Sequence, residues 1–241
     1  MFKKIIKKIA GYNGYKFIKK IDQELENTSS FNKELIKDFS KYTMTSNMKI
    51  FSLIKAFEYI HKFKIAGDFV ECGVYTGGNI MILKKLIEKN NLNKKIYAYD
   101  TFEGMTNPTS SDIKIDGTIA SEKILKKNNW SSCSLEKVKE NFAEMNLELN
   151  NIQFVKGKVE ETLKNNENLP NKISILRLDT DFYESTKIEL KYLYPLLVEG
   201  GILIIDDYGS WLGSKKATDE YFSGKKIFMH FIDHSARMII K

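Results

Sequence analysis

The sequence predicts an α/β fold: a doubly wound, mostly parallel sheet with helices on both faces, an antiparallel C-terminal edge hairpin and extra N-terminal helices. Three observations lead there. Short apolar runs alternate with helical stretches from residue 67 onward, and those runs end in Gly, Asp or Asp-Asp. The 241 residues, 42% apolar and 29% charged, can also bury one substantial core. With only three Pro and fourteen Gly, low-complexity and collagen-like architectures are excluded.

Each element follows from local pattern. Residues 20–66 read as helical, because Ile36, Phe39, Tyr42, Phe51, Leu53, Ile54, Phe57, Tyr59 and Ile60 recur near helical spacing. Asp68–Cys72 is a short apolar strand, Gly73–Gly78 a glycine-rich turn, and Asn79–Lys89 a helix with Ile80, Ile82, Leu83, Leu86 and Ile87 as its apolar side. Lys95–Asp100 is a second strand. Glu103–Cys133 is polar and aperiodic, long enough for a lid or binding loop. Ser134 opens a helix through Leu147 with Val138, Phe142 and Met145 inward. Further strands are Ile152–Lys156, Ile173–Asp179 and Ile202–Asp206, the last following a Gly200-Gly201 turn. The helix before that turn carries Ile188, Leu190, Leu193 and Leu197. The C-terminal KKIFMHFIDHSARMIIK reads as two strands around an Asp233-His234-Ser235 turn.

Lys and Arg total 38 against 31 Asp and Glu, a net charge of +7. Seven lysines and no acid within residues 1–20 account for that whole excess, so the remaining chain is formally neutral. Such a distribution excludes a nucleic-acid-gripping face. In the leader, Phe2, Ile5, Ile6 and Ile9 share one helical face opposite Lys3, Lys4, Lys7 and Lys8. It could rest weakly on an anionic membrane surface, pack on a partner subunit, or be a loosely held terminus. It is not a secretory signal, because lysines interrupt its apolar stretch and no small-residue cleavage site follows. The longest purely aliphatic run, Ile202–Ile205, is far too short to cross a bilayer. Cys72 and Cys133 cannot frame a disulfide scaffold and suit buried thiols in a cytoplasmic enzyme.

In doubly wound sheets, ligands gather at the carboxyl ends of the strands near the switch in strand order. The first strand ends in Glu71-Cys72-Gly73-Val74-Tyr75-Thr76-Gly77-Gly78. Its Gly-x-x-x-Gly-Gly spacing lets the backbone approach a ligand, although strand-to-helix packing explains it too. Asp100, closing the second strand, can accept both hydroxyls of a ribose or cap its loop. Turn and acid together point to a nucleoside ligand. The later strands end in Asp179-Thr180-Asp181 and Asp206-Asp207. If they are neighbours, Asp179, Asp206 and Asp207 converge, and carboxylates so close repel unless a cation joins them. An oxygen-only donor set favours Mg²⁺ or a similar hard ion over zinc, although separate loop caps and surface acids explain these residues too. His61, His230 and His234 do not cluster with these acids and read as packing or turn residues. Trp130, Tyr208 and Trp211 line a substrate mouth or anchor loops.

The segments GDFVECGVYTGGN, YAYDTFEGM, LRLDTDFYEST and LYPLLVEGGILIIDDYG, in this order, resemble the macrocin O-methyltransferase family of S-adenosyl-L-methionine- and Mg²⁺-dependent sugar methyltransferases. The resemblance runs from Tyr42-Thr43-Met44 to Asp219-Glu220. It implies a class I methyltransferase-like fold. By it, Glu71, Gly73, Tyr75, Thr76, Gly77 and Gly78 cradle the methionine part of the cofactor. Asp100 with Thr101 holds the ribose, and Phe102 and Gly104 lie near the adenine. Thr43, Met44 and Thr45 fold over the cofactor, while Gly157 and Lys158 begin an adenine-side loop that lacks the family's usual aromatic after the glycine. Asp179, Asp206 and Asp207 match the metal ligands, with Asp179 also beside the cofactor, and Asp181 matches the general base.

The resemblance divides the chain into an N-terminal helical extension or lid, 1–66, and a methyltransferase domain, 67–241. The leader and the Thr106–Ser132 loop depart most from the family pattern and would choose the acceptor. That acceptor is a hydroxyl on a glycan, a nucleotide-activated sugar or a glycosylated natural product, with no nucleic-acid partner. A homo-oligomer is expected, since the N-terminal helices carry more apolar surface than one small domain needs to cover. Two other classes compete. Asp179-Thr180-Asp181 is a D-x-D of the kind metal-dependent glycosyltransferases use, and the basic leader would suit a non-catalytic nucleoside-binding scaffold. A metal-dependent hydroxylase lacks its two-His facial triad.

Overall fold

The computed structural model describes residues 28–121 and 131–241; the amphipathic leader and Trp130 lie outside them. Helix α1 (Ser30–Phe39) opens on Ser29, whose hydroxyl accepts from the Asn32 N–H, and a single 3₁₀ turn, Ser40–Tyr42, follows it. Helix α2 (Asn47–Lys62) is capped by Ser46, which accepts from Lys49 N–H. The helical pattern read over 20–66 is therefore broken at 43–46, where Ser46 starts a new helix by satisfying a free N–H.

Five parallel strands follow: β1 (Asp68–Cys72), β2 (Ile96–Asp100), β3 (Ile152–Lys156), β4 (Ile173–Leu178) and β5 (Leu197–Ile205). Between them run α3 (Gly78–Lys89), α4 (Leu135–Glu144), the single turn α5 (Val159–Thr162) and α6 (Tyr183–Tyr192). Helix α7 (Leu212–Phe222) and the antiparallel pair β6 (His230–Phe231) and β7 (Arg237–Ile240) complete the chain. The sheet order is β3-β2-β1-β4-β5-β7-β6, so the predicted doubly wound sheet with its antiparallel edge hairpin is observed. The order reverses between β1 and β4, which marks the crevice where such sheets bind ligands.

Alternate side chains enter opposite layers, as the pleat requires. Phe69, Ile175 and Ile204 pack with Leu53, Phe57, Ile80 and Leu83 of α2 and α3. Val70, Leu176 and Leu203 pack with Leu190 and Phe222 of α6 and α7. Leu35, Ile36 and Phe39 of α1 belong to the first layer. Among the described residues, the apolar side chains of 30–62 mostly pack within the chain, with Phe51 and Tyr59 half-buried. Cys72 is buried, whereas Cys133 is half-buried at the margin of that layer.

One element differs in kind from the prediction. Gly200-Gly201 is not a turn before a strand but lies inside β5, which begins at Leu197. Pairing jumps from Ile173–Leu197 to Ile175–Ile202, a bulge in which Gly200 takes φ +74°. No described helix is long and apolar enough to cross a membrane.

Candidate active site

Strand register builds the site. Cys72 pairs with Tyr99 and with Leu178, and Leu178 with Ile205. The next residue of each strand, Gly73, Asp100, Asp179 and Asp206, therefore stands at one level along the carboxyl edge. A cavity of about 430 Å³ opens there, within the range of small-molecule sites. Met44, Thr45, Gly73, Tyr75, Asp100, Thr101, Gly104, Gly157, Asp179, Asp181, Asp206 and Asp207 all line it.

The remaining predicted cofactor residues stand behind that wall. Thr76 donates its hydroxyl to the Tyr42 carbonyl. A Cβ on Gly78 would meet that same carbonyl oxygen at 2.7 Å and Thr43 Cβ at 2.8 Å. Gly77, at φ +96°, abuts Val138 and Phe142. The 42–43 segment and α4 cover the start of α3, so these glycines serve helix packing. Phe102 is buried edge-on to Phe154, 6.1 Å between ring centres, rather than facing the cavity. Lys158 stands at the N-cap position of α5 without a side-chain cap and also stays outside. Gly73 (φ +86°) has a structural reason of its own, since a Cβ there would lie 2.0 Å from the Asp179 carbonyl oxygen.

Asp100 already holds the loops around it. Its Oδ2 accepts from Val74 N–H (2.7 Å) and Tyr75 N–H (3.0 Å), and its Oδ1 from Phe102 N–H (2.7 Å). The Thr101 hydroxyl also lies 3.4 Å from Oδ1, so both oxygens carry loop contacts and a ribose would have to share them.

The acidic cluster is organised by two cations that the sequence analysis did not single out. Register sets Arg177 directly beside Glu71 on the same face of the sheet. Its Nη1 lies 2.5 Å from Glu71 Oε1 and 2.8 Å from Asp179 Oδ2, and its Nη2 2.5 Å from Asp206 Oδ1. From α2, Lys49 pairs with Asp206 Oδ2 and donates to Ser235 Oγ at 3.1 Å. Both Asp206 oxygens thus face cations. The three carboxylates whose oxygens lie within 4.8 Å of one another are Asp179, Asp181 and Asp207. The expected convergence of Asp179 with Asp206 and Asp207 is met at the level of the strands, but Asp181 takes the place of Asp206 in the oxygen cluster.

Charge states follow from this arrangement. Burial opposes ionisation of Asp206, yet Arg177 and Lys49 outweigh it and hold the carboxyl below its ordinary value. Burial drives Asp179 well above its ordinary range, with Arg177 opposing and the neighbouring aspartates adding. Asp207 is raised likewise by burial and by Asp181 beside it. Burial lifts Glu71 to about 7 against the pull of Arg177. A folded-state pKa above the unfolded one stabilises the fold below about pH 4.5, and that contribution is lost as pH rises through about 7. Glu71→Gln removes this titration. Its melting temperature relative to the parent is expected to rise between pH 5 and pH 8, as followed by thermal scans of ligand-free protein; a pH-independent difference would refute the assignment.

The donor set fits a hard divalent cation. Asp207, which lines the cavity, keeps its buried Oδ2 without a hydrogen-bond partner among the described residues. Such an orphaned oxygen is costly unless a ligand completes it.

A family model described as macrocin-O-methyltransferase (TylF) matches residues 13–238. The chain belongs to this family. Demethyldecarbamoylnovobiocin O-methyltransferase of Streptomyces niveus is 29% identical over 184 residues, 75% of this chain and 67% of that protein. The 8-demethyl-8-(2,3-dimethoxy-alpha-L-rhamnosyl)-tetracenomycin-C 4'-O-methyltransferase of Streptomyces olivaceus is 29% identical over 168 residues, 69% of this chain and 62% of that protein. The O-methyltransferase NovP superposes with a TM-score of 0.75 at 25% identity, covering 83% of this chain and 82% of its own. MycE, solved with Mg, SAH and mycinamycin VI, shares the fold with a TM-score of 0.51 at 15% identity, over 87% of this chain and 54% of its own. The chain is thus a methyltransferase of the macrocin O-methyltransferase family.

Within this methyltransferase, several residues that line the cavity or organise its acids carried no signal in the sequence analysis. Lys49 was one lysine among many on a helix, and Arg177 sat inside a strand whose partner depends on register. His234, read as a turn residue, is in its turn and also lines the cavity with Ser235. Trp211 lines it beside Lys114 and Ser210 and also packs against Phe182, whereas Tyr208 does not line it.

Proposed function

We propose that this chain transfers a methyl group from S-adenosyl-L-methionine to a sugar hydroxyl, with Mg²⁺ held at the strand-end aspartates and Asp181 taking the hydroxyl proton. The observation that carries the reading is the juxtaposition, in one cavity, of the Gly73–Tyr75 turn and Asp100 with Asp179, Asp181 and Asp207. Relatives named for methylating sugar-bearing natural products support the acceptor class.

S-adenosylmethionine supplies a methyl group that is already activated. A divalent cation supplies Lewis acidity toward a poorly nucleophilic alcohol. The chain's own residues do the rest. The backbone turn at Gly73–Tyr75, Asp100, Thr101 and Gly157 bound the nucleoside side of the cavity, and Met44 and Thr45 cover it. Asp179 and Asp207 belong both to the family's ligand set and to the observed oxygen cluster, so these two would hold the ion. Asp206 would join them by releasing Arg177 or Lys49. Asp181, at φ +65°, faces the cavity and accepts the acceptor's proton. Trp211, Lys114 and Ser210 bound the acceptor side.

The D-x-D glycosyltransferase reading would leave Asp207 and Asp100 without a task, although both line the cavity with Asp179. The deciding test is transfer of a labelled methyl group from S-adenosylmethionine to a panel of nucleotide sugars, methyl glycosides and glycosylated natural products, with and without EDTA. Transfer to one class, abolished by EDTA and restored by Mg²⁺, is expected; transfer unaffected by EDTA removes the metal from the proposal. Because Asp179 and Asp207 are raised, Mg²⁺ must displace protons from them. Titration calorimetry in buffers of different ionisation enthalpy is expected to show proton release, with affinity falling as pH falls. Equal heats in both buffers would contradict those charge states.

A further inference from the structure

We infer that Asp112, in the acceptor-side segment 109–120, is a positioning residue for Asp181. The inference rests on the proposed role of Asp181 as proton acceptor. Helix α6 begins at Tyr183, two residues after Asp181, and its own N-cap residue, Phe182, makes no side-chain cap. The cap comes from elsewhere in the chain. Asp112, 0% exposed, accepts the Tyr183 N–H on Oδ1 at 2.7 Å. Its Oδ2 accepts from the Thr109 N–H at 2.6 Å and the Thr109 hydroxyl at 2.8 Å. One carboxylate therefore ties the fold of the acceptor segment to the first turn of the helix behind the base. A carboxylate at a helix N-terminus also faces the positive end of the helix dipole.

Space for this contact is reserved by a glycine. A Cβ on Gly213, in α7, would lie 2.1 Å from Asp112 Oδ1 and 2.9 Å from Tyr183 N. The segment is further joined to the α7 entrance by main-chain bonds from Leu212 N to Ile113 O (2.9 Å) and from Ile115 N to Ser210 O (3.0 Å). Its Lys114 stands over the Trp211 ring at 5.3 Å, and both line the cavity.

The turn needs this support. Asp181 holds a left-handed backbone, φ +65°, which a non-glycine residue keeps only when its surroundings over-determine it. On one side the Thr180 hydroxyl donates to Glu189 Oε1 at 2.9 Å. On the other, Phe182 packs edge-on to Trp211 at 5.5 Å, and Asp112 holds Tyr183. Segment 109–120 and the base-bearing turn thus form one mechanical unit. An acceptor that braces the segment braces Asp181 with it.

The test uses the full chain with Asp112→Ala, Asp112→Asn and Gly213→Ala. Asn keeps an acceptor oxygen for Tyr183 but loses the charge; Gly213→Ala leaves the aspartate intact and displaces it. Hydrogen–deuterium exchange is expected to show at least tenfold lower protection of amides 181–185 and 113–120 in Asp112→Ala and Gly213→Ala. Protection of strands β1 and β4 should be unchanged, S-adenosylhomocysteine affinity should stay within twofold, and Asp112→Asn should fall between. The double variant should be no worse than either single one, as residues acting through one contact are non-additive. With an acceptor from the methyl-transfer screen, kcat should fall ten- to a hundredfold with KM changed less than threefold. Unchanged protection at 181–185 in both variants overturns the inference, whatever acceptor is found. Loss of protection throughout the sheet in Asp112→Ala, together with full protection of 181–185 in Gly213→Ala, would make Asp112 a general stability residue and overturn it too.

Discussion

Asp181→Asn is expected to lower the methyl-transfer rate about a thousandfold, in line with removal of a positioned proton acceptor, while leaving S-adenosylhomocysteine affinity within twofold. The amide fills the same volume but cannot take the hydroxyl proton as the methyl group is transferred. Asp181 lies in the oxygen cluster with Asp179 and Asp207, so the loss has two candidate origins, and Mn²⁺ affinity separates them. A variant that has lost the base alone binds Mn²⁺ within a few-fold of the parent. One that has lost a ligand binds it much more weakly. Asp206→Asn is the comparison variant: both oxygens of Asp206 face Arg177 and Lys49, so its Mn²⁺ affinity is expected to fall only if Asp206 joins the ion. Turnover of Asp181→Asn at the parental rate would remove Asp181 from the chemistry and return attention to other groups of the acceptor wall.

Arg177→Leu is expected to cost about 3–5 kcal/mol of folding stability, the range for removing one partner of a buried ionic group. The guanidinium touches Glu71, Asp179 and Asp206 together and is 3% exposed. Burial disfavours its charge, but those three carboxylates outweigh burial and raise its pKa well above the ordinary value. Leucine fills most of the vacated space, so the expected loss is electrostatic rather than a cavity effect. The pH dependence has a definite sign. Without Arg177 the carboxyls lose the charge that lowers them, so their folded-state pKa values rise further and the variant loses stability as pH rises. The penalty should be largest above pH 7, where Glu71 ionises, and should shrink toward pH 5 as the buried carboxyls take protons. Urea unfolding at pH 5 and pH 8 measures it; an equal penalty at both would mean that the guanidinium acts through packing alone. Arg177→Lys should recover part of the stability, because a point charge can meet fewer of the three carboxylates than the planar fork.

Much of the fold was legible from local pattern. The strands at 68–72, 96–100, 152–156 and 173–178 are short apolar runs bounded by turns, and their placement departs from the reading by at most a residue. Ser134 caps α4 as its position before a periodic stretch implied. The failures lie where a residue's meaning depended on something distant. Gly200-Gly201 looks like a turn in isolation, but the bulge it forms exists only because β5 must change register against β4. The helical periodicity of 20–66 hides the break at 43–46, whose Thr45 hydroxyl accepts from Arg177 Nη2 (3.0 Å) and Asn79 (3.1 Å). Those partners lie 132 and 34 residues away.

The candidate site divides the same way. Its acids and glycine turn were readable because strand ends in a parallel sheet must meet at one edge, whatever the details of packing. Sequence alone therefore settles the fold class, the edge where the candidate site lies and the kinds of groups standing there. It does not settle which carboxylates face each other, which are neutralised, or which glycines face a ligand rather than a helix. Those depend on register and on side chains arriving from other elements: Arg177 beside Glu71 across the β1–β4 pair, Lys49 from α2, and Asp112 from the acceptor segment. The physical reason is range. Helical and strand periodicity come from the local backbone, whereas an ion pair or an external helix cap needs groups that only the folded chain brings within about 3 Å.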